Sequence, residues 1–372
     1  MDKNWLKAEL KKIALELGFE LFGVAQANKA DHFDRFELWL DEGCAAEMDY
    51  LYKHREARQH PESIFPEVKS VIMLGVFYSS HVDADKNPFD QYDSNINSEL
   101  ISIENKTIFG KIARYARGPD YHEWIRDRLR RYLNQIQTLI PDCQGRGVVD
   151  TAPLLERDFA RRAGLGWFGK NTMLIHKARG SFCFLAALLI NKEIEPDLPF
   201  TANHCGSCTR CLEACPTQAL TKPGWLDARK CLSYWIIEHR GGIPKEFSSK
   251  LNSWLFGCDI CQEVCPWNQE KFAGEITFPK EEKLSYIDLY QLLNMDENEF
   301  YQTFRHTPIW RTKREGLLRN AILLLGEQGD QKTLQVLEDL EKREDPIFRN
   351  PTLVHSTQLA ISCLSQKLNL SN

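Results

Sequence analysis

The first two hundred residues alternate between apolar runs and segments of helical periodicity. At the start of the chain, apolar residues recur at helical spacing until Gly18, which predicts an amphipathic helix. Buried strands are predicted where apolar and β-branched residues run together, at 19–25, 68–78, 147–150, 171–175 and 182–190. Further helices are predicted at 32–42, 121–140 and 154–163. This alternation is typical of an α/β domain.

The pattern changes in the last third of the chain. Strand patterns stop near Leu284, and Ala- and Leu-rich helices are predicted at 314–326, 331–342 and 351–366. Their spacing indicates a short HEAT-like repeat, with a plain helical cap as the alternative. Residues 81–107 are rich in Asp, Asn and Ser, which predicts a mobile loop. We therefore expect an α/β domain over 1–199, a cysteine-rich module over 200–272 and a helical repeat domain over 273–372.

The net charge of −5 conceals an uneven distribution. Between residues 111 and 180, fourteen Lys and Arg residues stand against seven Asp and Glu residues, and a second basic cluster lies at 305–319. Such a local excess is typical of a phosphate-binding face, although a solvated helix surface has the same composition.

The chain shows no pattern that directs it to a membrane. Its N-terminal residues lack the apolar core of a signal peptide, and the longest apolar run, 182–190, is about half a membrane span. Twelve cysteines without an export signal favour a reducing compartment, so we expect a cytoplasmic protein that does not associate with membranes.

The strongest chemical signal is the spacing of eight of the twelve cysteines, in two blocks that both end in C-x2-C-x3-C-P. Such a block supplies three thiolates to one cubane iron–sulfur cluster, and its last Cys, before Pro, serves the other cluster of a pair. One cluster is assigned the ligands Cys205, Cys208, Cys211 and Cys265. The other is assigned Cys215, Cys231, Cys258 and Cys261, although Cys231 stands 27 residues before Cys258.

Other interpretations of these motifs are weaker. A C-x2-C pair can bind zinc, and the same number of cysteines in a secreted protein can form disulfides, but two C-x2-C-x3-C-P endings disfavour both. The segment Gly164-x-Gly166-x-x-Gly169 matches the dinucleotide-binding fingerprint. That fingerprint requires a strand before the glycines and a helix after them, whereas here the predicted order is reversed.

Several longer segments resemble the epoxyqueuosine reductase family, and the resemblance covers nearly the whole chain. They are ARYARGPDYH (113–122), VVDTAPLLERDFARRAGLGWFGKNTMLI (148–175), CGSCTRCLEACPTQAL (205–220), CLSYWIIEHRG (231–241) and FGCDICQEVCPWN (256–268). The resemblance implies a cobalamin-binding α/β domain joined to a ferredoxin-like module with two 4Fe–4S clusters. It also implies the last step of queuosine synthesis, in which the epoxide oxygen of epoxyqueuosine is removed at the wobble position of tRNA.

The implied reaction needs an acid. Reduction of an epoxide to an alkene takes two electrons and two protons, so a proton donor must stand beside the leaving oxygen. The resemblance implies that Asp150 is this donor, and its action near neutral pH requires a pKa raised by a desolvated pocket. The alternative role for Asp150 is a helix N-cap before the predicted helix 154–163, because Asp and Thr are common ahead of Pro at such positions.

The resemblance also implies a set of cobalamin contacts. The cobalamin is expected without its lower base, with cob(II)alamin as the resting state, and to receive single electrons from the nearer cluster. The residues implied to contact it are Arg58, Tyr115, His122, Asp150, Gly166, Lys170, Asn171 and Ser233. The alternative role is a surface ion pair for Arg58, a turn hydroxyl for Ser233 and an ordinary surface or core histidine for His122.

The implied partners are a tRNA anticodon stem-loop carrying epoxyqueuosine and an external one-electron donor such as a flavodoxin or ferredoxin, with the enzyme itself a monomer. The basic residues predicted to contact RNA phosphates are Arg114, Arg117, Arg126, Arg130, Arg311, Lys313 and Arg314. Two other functions fit the cluster motifs: a cytosolic reductive dehalogenase acting on a small molecule, and an electron-transfer adaptor without chemistry of its own.

Overall fold

The computed structural model describes residues 3–79, 107–269 and 276–370, so the loop predicted at 81–107 lies outside the described residues except for its last position. Contacts between residues divide the chain into two compact units. The first contains Met1–Val82, Asp120–Arg229 and Ile260–Lys280. The second contains Asp83–Pro119, Lys230–Asp259 and Glu281–Asn372. Each unit draws on three separate stretches of chain, and the expected three-domain division stays a prediction.

The secondary structure follows the predicted pattern closely in the first two hundred residues. The strands in chain order are β1 (Leu21–Gln26), β2 (Ser70–Phe77), β3 (Phe109–Ile112), β4 (Gly145–Val148), β5 (Trp167–Phe168), β6 (Leu174–Ile175), β7 (Cys183–Ile190), β8 (Leu220–Lys222), β9 (Trp225–Leu226), β10 (Trp254–Phe256) and β11 (Tyr286–Asp288). The α-helices are α1 (Lys3–Glu16), α2 (Phe33–Asp41), α3 (Asp49–Lys53), α4 (Tyr121–Leu139), α5 (Glu156–Arg162), α6 (Arg210–Glu213), α7 (Leu232–Ile237), α8 (Lys245–Ser248), α9 (Ile260–Glu263), α10 (Leu289–Asn294), α11 (Glu297–Phe304), α12 (Lys313–Gln328), α13 (Gln331–Leu340) and α14 (Pro351–Leu370).

The first unit is built on a four-stranded sheet in the order β1-β2-β7-β4, in which every neighbouring pair is antiparallel. Strand β2 is buried along its whole length, as its uninterrupted apolar run predicted. Val71, Met73 and Phe77 of β2 share a core with Phe159 of α5. The sheet therefore presents the N-terminal end of α5 and the segment before it at a fixed position.

The glycines of the 164–169 segment belong to the first half of a β-hairpin. Helix α5 precedes them, β5 lies between Gly166 and Gly169, and β5 pairs antiparallel with β6. The predicted order, a helix before the glycines and a strand after them, is confirmed. A Cβ atom at Gly166 would lie 2.2 Å from the carbonyl oxygen of Ile175, so only glycine allows β6 to approach this closely. The need for glycine at this position is thus explained by the hairpin.

The second unit combines a small sheet with the C-terminal helices. Strand β3 lies between β10, to which it is parallel, and β11, to which it is antiparallel. The three predicted C-terminal helices are confirmed as α12, α13 and α14, whereas strand β11 follows the point where strand patterns were expected to stop. The HEAT-like arrangement of these helices stays a prediction. Among the helices that the structure describes, none combines the length and apolar character needed to cross a membrane.

Helix α12 is braced by a buried polar pair, Arg319 and Asn320, which are 1% and 0% exposed. Arg319 donates hydrogen bonds to the carbonyl oxygens of His239, Gly241 and Trp235, at 2.7–2.8 Å. The Nδ2 of Asn320 donates to the carbonyls of Ile236 and Leu255. Carbonyls at the end of a helix have no partners within it, so this pair satisfies the C-terminal end of α7 and ties α12 to it.

We expect Arg319→Met to destabilise the protein by about 3–5 kcal/mol, because several buried carbonyl groups lose their donors at once. The free energy of unfolding from denaturant titrations measures this loss. Arg240→Met removes an exposed arginine nearby and serves as the matched control. A change below about 1 kcal/mol in the Arg319 variant would show that water replaces the lost donors.

Candidate active site

Four of the cysteines surround one cavity in the first unit. Cys205, Cys208 and Cys211 come from the loop before α6 and from α6 itself, and Cys265 follows α9. They line a cavity of about 230 Å³. Four thiols around one small cavity form the ligand set of a cubane iron–sulfur cluster, which makes this cavity the candidate site of the first cluster.

Polar side chains fix the loops that carry these cysteines. The Nζ of Lys170 donates to the carbonyl oxygens of Gly206 and Cys208, at 2.7 and 2.9 Å. The Nδ2 of buried Asn171 donates to the carbonyl of Cys261 at 3.1 Å. Lys170 and Asn171 also line the cavity. They position the cysteine loops, and their expected contact with cobalamin stays a prediction.

An aromatic cluster adjoins the cysteine cavity. The ring of Trp167 lies 5.0 Å from that of Trp267 and 4.9 Å from that of His204, measured between centroids. Trp167 and Cys265 belong to the same apolar cluster, against which Phe200 packs. Limited access of water is one of the factors that set the reduction potential of an iron–sulfur cluster.

The cysteines assigned to the second cluster come from both units. Cys215 and Cys261 belong to the first unit, and Cys231 and Cys258 to the second. Cys231 stands at the N-cap position of α7, and Cys258 follows Gly257, whose φ is +70°. Their assignment to one cluster stays a prediction.

Asp150 occupies a tight turn after β4. Its φ of +46° is rare for a residue other than glycine, and the amide of Thr151 bonds to the carbonyl of Val149 at 2.5 Å across the turn. Helix α5 begins only at Glu156, with Leu155 as its N-cap, so Asp150 does not cap that helix. The side chain of Asp150 is 53% exposed, which differs from the desolvated pocket expected for it.

The carboxyl group of Asp150 faces two proton-bearing side chains at the start of α4. Its Oδ2 accepts a hydrogen bond from the hydroxyl of Tyr121 at 2.8 Å and lies 3.1 Å from Nε2 of His122. The Nδ1 of His122 lies 2.8 Å from Oδ1 of Asp120, the residue that caps α4. The ring of Tyr121 stacks on Phe184 of β7, with centroids 4.3 Å apart, which anchors the group to the sheet.

His122 is held as an imidazolium between two carboxylates. Burial alone would lower its pKa, but hydrogen bonds to Asp120 and Asp150 outweigh burial and raise the pKa to about 9. The pKa of Asp120 is lowered in turn, because its hydrogen bonds to His122 outweigh the opposing effect of its own burial. His122 therefore carries a proton next to Asp150 at neutral pH.

This arrangement predicts a pH-dependent contribution of His122 to stability. Because its pKa in the folded protein, about 9, exceeds the ordinary value of 6.5, the contribution is complete below pH 6.5 and is lost as the pH rises through 9. We expect wild type to exceed His122→Gln in stability by about 3 kcal/mol at pH 6, and by much less at pH 9.5. Denaturant unfolding at the two pH values measures the difference. A difference independent of pH would contradict the assigned protonation state.

Two buried polar atoms lie within electrostatic reach of Asp150. Nη1 of Arg58 and Oε1 of Glu156 are buried without a hydrogen-bond partner. Buried groups of this kind are costly unless a ligand or water satisfies them, so the residues present here fit the binding of a polar cofactor. The sequence predicts Arg58 as a cofactor contact, whereas Glu156 was missed because it lies in the first turn of the predicted helix 154–163, where acidic residues are common.

The remaining predicted cofactor contacts lie in the second unit. The rings of Tyr115 and Phe256 contact each other at a tilt of 43°, with centroids 6.0 Å apart. Ser233 lies on α7, two residues after Cys231, and is half-buried. Their contact with cobalamin stays a prediction.

Three of the arginines predicted to bind phosphate are buried. Arg114, Arg117 and Arg314 are 4%, 1% and 6% exposed. Arg117 donates to the carbonyl of Ile112, and Arg314 pairs with Asp345 at 2.6 Å. The prediction of phosphate contacts was wrong for these three, because their guanidinium groups are enclosed by the fold. Arg126 and Arg130 are exposed on α4.

Two family models match the chain. The model described as epoxyqueuosine reductase QueG, DUF1730, matches residues 58–151, and the model described as a 4Fe-4S double cluster binding domain matches residues 204–268. The second match contains all eight assigned cysteines. The module accordingly binds two 4Fe–4S clusters.

Known proteins are similar over most of the chain. The epoxyqueuosine reductase of Cyclobacterium marinum is 37% identical over 317 residues, covering 84% of this chain and 94% of that protein. An epoxyqueuosine reductase solved with a tRNA-Tyr epoxyqueuosine-modified stem loop is 30% identical, with a TM-score of 0.84 and coverage of 98% of this chain and 91% of that one. The Bacillus subtilis structure, with its catalytic aspartate loop swung out of the active site, is 29% identical, with a TM-score of 0.83 and the same coverages. This chain therefore belongs to the epoxyqueuosine reductase family of oxidoreductases.

Proposed function

We propose that this enzyme reduces epoxyqueuosine to queuosine at the wobble position of tRNA, using two 4Fe–4S clusters and cobalamin. The observation that carries the proposal is a carboxyl group, Asp150, beside a histidine that holds a proton, in the same unit as a cavity lined by four cysteines. One site supplies protons and the other holds a centre for single electrons, which are the two requirements of a reductive deoxygenation.

The reaction balances with two electrons and two protons. The two C–O bonds of the epoxide break, an alkene forms, and the oxygen leaves as water. Cobalamin, when bound, supplies a cobalt centre that accepts electrons one at a time and is strongly reducing. The protons must come from groups of the protein or from solvent, and a positioned acid contributes about 10²–10⁴ to such a rate.

The protein's own groups suit proton delivery. Asp150 is the acid that transfers a proton to the leaving oxygen, and it receives that proton from Nε2 of His122, 3.1 Å from its Oδ2. The hydroxyl of Tyr121 keeps the same carboxyl oxygen in place, and solvent supplies the second proton. Asp120 holds the other nitrogen of the ring and stabilises its charged form.

The proposed cofactor contacts use the cysteines and polar residues described above. Cys205, Cys208, Cys211 and Cys265 hold one cluster, and Cys215, Cys231, Cys258 and Cys261 hold the other. Cobalamin, bound without its lower base, would be held by Arg58, Tyr115, His122, Asp150, Ser233 and the Gly166–Asn171 segment. An external one-electron donor, such as a flavodoxin or ferredoxin, reduces the clusters. We further propose that the enzyme acts as a monomer in the cytoplasm.

The exposed face of α4 is the proposed contact for RNA phosphates. Nη2 of Arg126 donates to Oγ1 of Thr151, the residue after Asp150, and Arg130 follows one turn later with its side chain 73% exposed. Arg126 and Arg130 are exposed cations on the helix beside Asp150. They can contact the phosphates of an RNA stem whose modified loop base lies at Asp150.

We expect Arg130→Ala to weaken binding of the tRNA stem-loop and to reduce the salt dependence of the affinity by about one counterion. Binding titrations at several salt concentrations measure both effects. Lys12→Ala removes an exposed cation from α1 and serves as the control. Equal slopes for the two variants would exclude Arg130 as a phosphate contact.

The proposed function is tested by turnover. Enzyme with both clusters and cobalamin, reduced chemically, is given a stem-loop that carries epoxyqueuosine, and the nucleoside product is analysed by mass. We expect a loss of one oxygen atom. A halogenated phenol replaces the RNA in a parallel assay. Turnover of the phenol without turnover of the stem-loop would favour a reductive dehalogenase, and turnover of neither would favour an electron-transfer adaptor.

A further inference from the structure

Arg58 is an arginine whose charge the fold does not satisfy fully. It ends a 3₁₀ turn at Glu56–Arg58 and is 8% exposed. Its guanidinium lies 5.9 Å from the centre of the Phe36 ring, and its Nη1 has no hydrogen-bond partner. Burial lowers the pKa of Arg58. The charge of Glu156 makes the largest of the contributions that oppose this lowering. The buried N–H groups of Nη1 therefore require an acceptor.

Glu156 offers the complementary atom. It is the first residue of α5, and its Oε1 is buried without a partner. Burial raises its pKa to about 8, and the charge of Asp150 adds to this rise. Phe36, under the Arg58 guanidinium, and Leu155, the residue before Glu156, pack against the same core cluster. A buried donor and a buried acceptor without partners therefore lie in one neighbourhood.

We propose that Arg58 and Glu156 together clamp one primary amide of the corrin ring. This inference rests on the proposed function and deepens it. The periphery of a corrin carries acetamide and propionamide groups, and a primary amide has an acceptor oxygen and donor N–H groups on neighbouring atoms. Nη1 of Arg58 donates to the amide oxygen, and Oε1 of Glu156 accepts from the amide nitrogen.

Other ligand groups fit the pair less well. A carboxylate would satisfy Arg58 but place an acceptor opposite the acceptor Oε1, and an ammonium group would satisfy Glu156 but oppose Arg58. A carboxyl oxygen accepts an N–H bond whether the acid is ionised or neutral, so the amide suits both states of Glu156. Arg58 and Glu156 should thus bind a primary amide in preference to the corresponding carboxylate.

The test uses cobalamin monocarboxylates, in which one side-chain amide is hydrolysed to a carboxylate. Binding is followed by the absorption of the corrin at pH 9, where Glu156 is ionised. We expect wild type to bind one isomer at least about tenfold more weakly than cobalamin, because a carboxylate then faces the Glu156 carboxylate. Glu156→Gln is expected to bring that isomer within about threefold of cobalamin, since the glutamine amide donates to it.

Glu195→Gln changes an exposed acid of the same unit and should leave the discrimination unaltered. The proposal is overturned if wild type binds every isomer as tightly as cobalamin, which is the outcome expected if water bridges the two side chains. It is also overturned if folded Glu156→Gln keeps the wild-type discrimination. Should that variant not fold, the wild-type comparison of isomers still decides. Failure to bind cobalamin itself would remove the proposed function, whereas binding without discrimination removes only the clamp.

Discussion

Asp150→Asn is expected to lower turnover of epoxyqueuosine in the stem-loop by about 10²–10⁴, the range that a general acid contributes. Asparagine has nearly the same size and can still accept hydrogen bonds from Tyr121 and His122, but it has no proton to give to the leaving oxygen. Single-turnover assays with reduced enzyme measure the loss.

The same variant should keep its iron content and its affinity for cobalamin, which separates a lost proton donor from a damaged site. Asp142→Asn is the matched control, because Asp142 is an exposed carboxylate on the first unit that pairs with Lys192. Turnover close to wild type in Asp150→Asn would remove Asp150 from the role of acid and point to His122 as the direct donor.

Cys208→Ser is expected to abolish turnover and to reduce the iron content from eight atoms per chain to about four. A serine hydroxyl at this position is a poor substitute for a soft thiolate ligand. Cys265→Ser should remove the same cluster, since Cys208 and Cys265 line one cavity. Iron analysis and the electron paramagnetic resonance spectrum of the reduced protein identify the cluster that is lost.

The pairing of ligands makes this test specific. Cys215→Ser should remove the other cluster and give a different residual spectrum. Cys363→Ser, at a cysteine outside both ligand sets, should leave eight irons and full turnover. In the assignment, the last cysteine of each block binds the cluster held by the other block. Identical residual spectra for the Cys265 and Cys215 variants would contradict this assignment.

The sequence predicted the elements and cysteine chemistry well because both depend on local spacing. Strand β2 and helix α4 lie within about two residues of their predicted bounds, since apolar period and run length determine them. The antiparallel order of the main sheet was not predicted, because local patterns do not specify which strands pair. Strand β11 was missed for a related reason: three residues are too few to show a period.

Charged residues in the interior were the main failure. Arg117 and Arg314 were interpreted as surface cations because charge favours water, yet each is buried with partners far away in the chain or in another element. The contact of Lys170 with cobalamin stays a prediction, but its hydrogen bonds to the carbonyls of Gly206 and Cys208, 36 and 38 residues away, were not predicted. Only the tertiary structure reveals such partners, and the same holds for the unsatisfied Oε1 of Glu156.

The sheet of the second unit has a consequence for synthesis of the protein. Strand β3 ends at Ile112, whereas its two neighbours in the sheet, β10 and β11, begin at Trp254 and Tyr286. At roughly 5–20 residues per second on a ribosome, β3 emerges about 10–35 seconds before its second neighbour. During translation this strand, in which Gly110 and Ile112 become buried, stays without its native partners. Chaperones that bind the nascent chain at this stage should therefore raise the yield of folded enzyme.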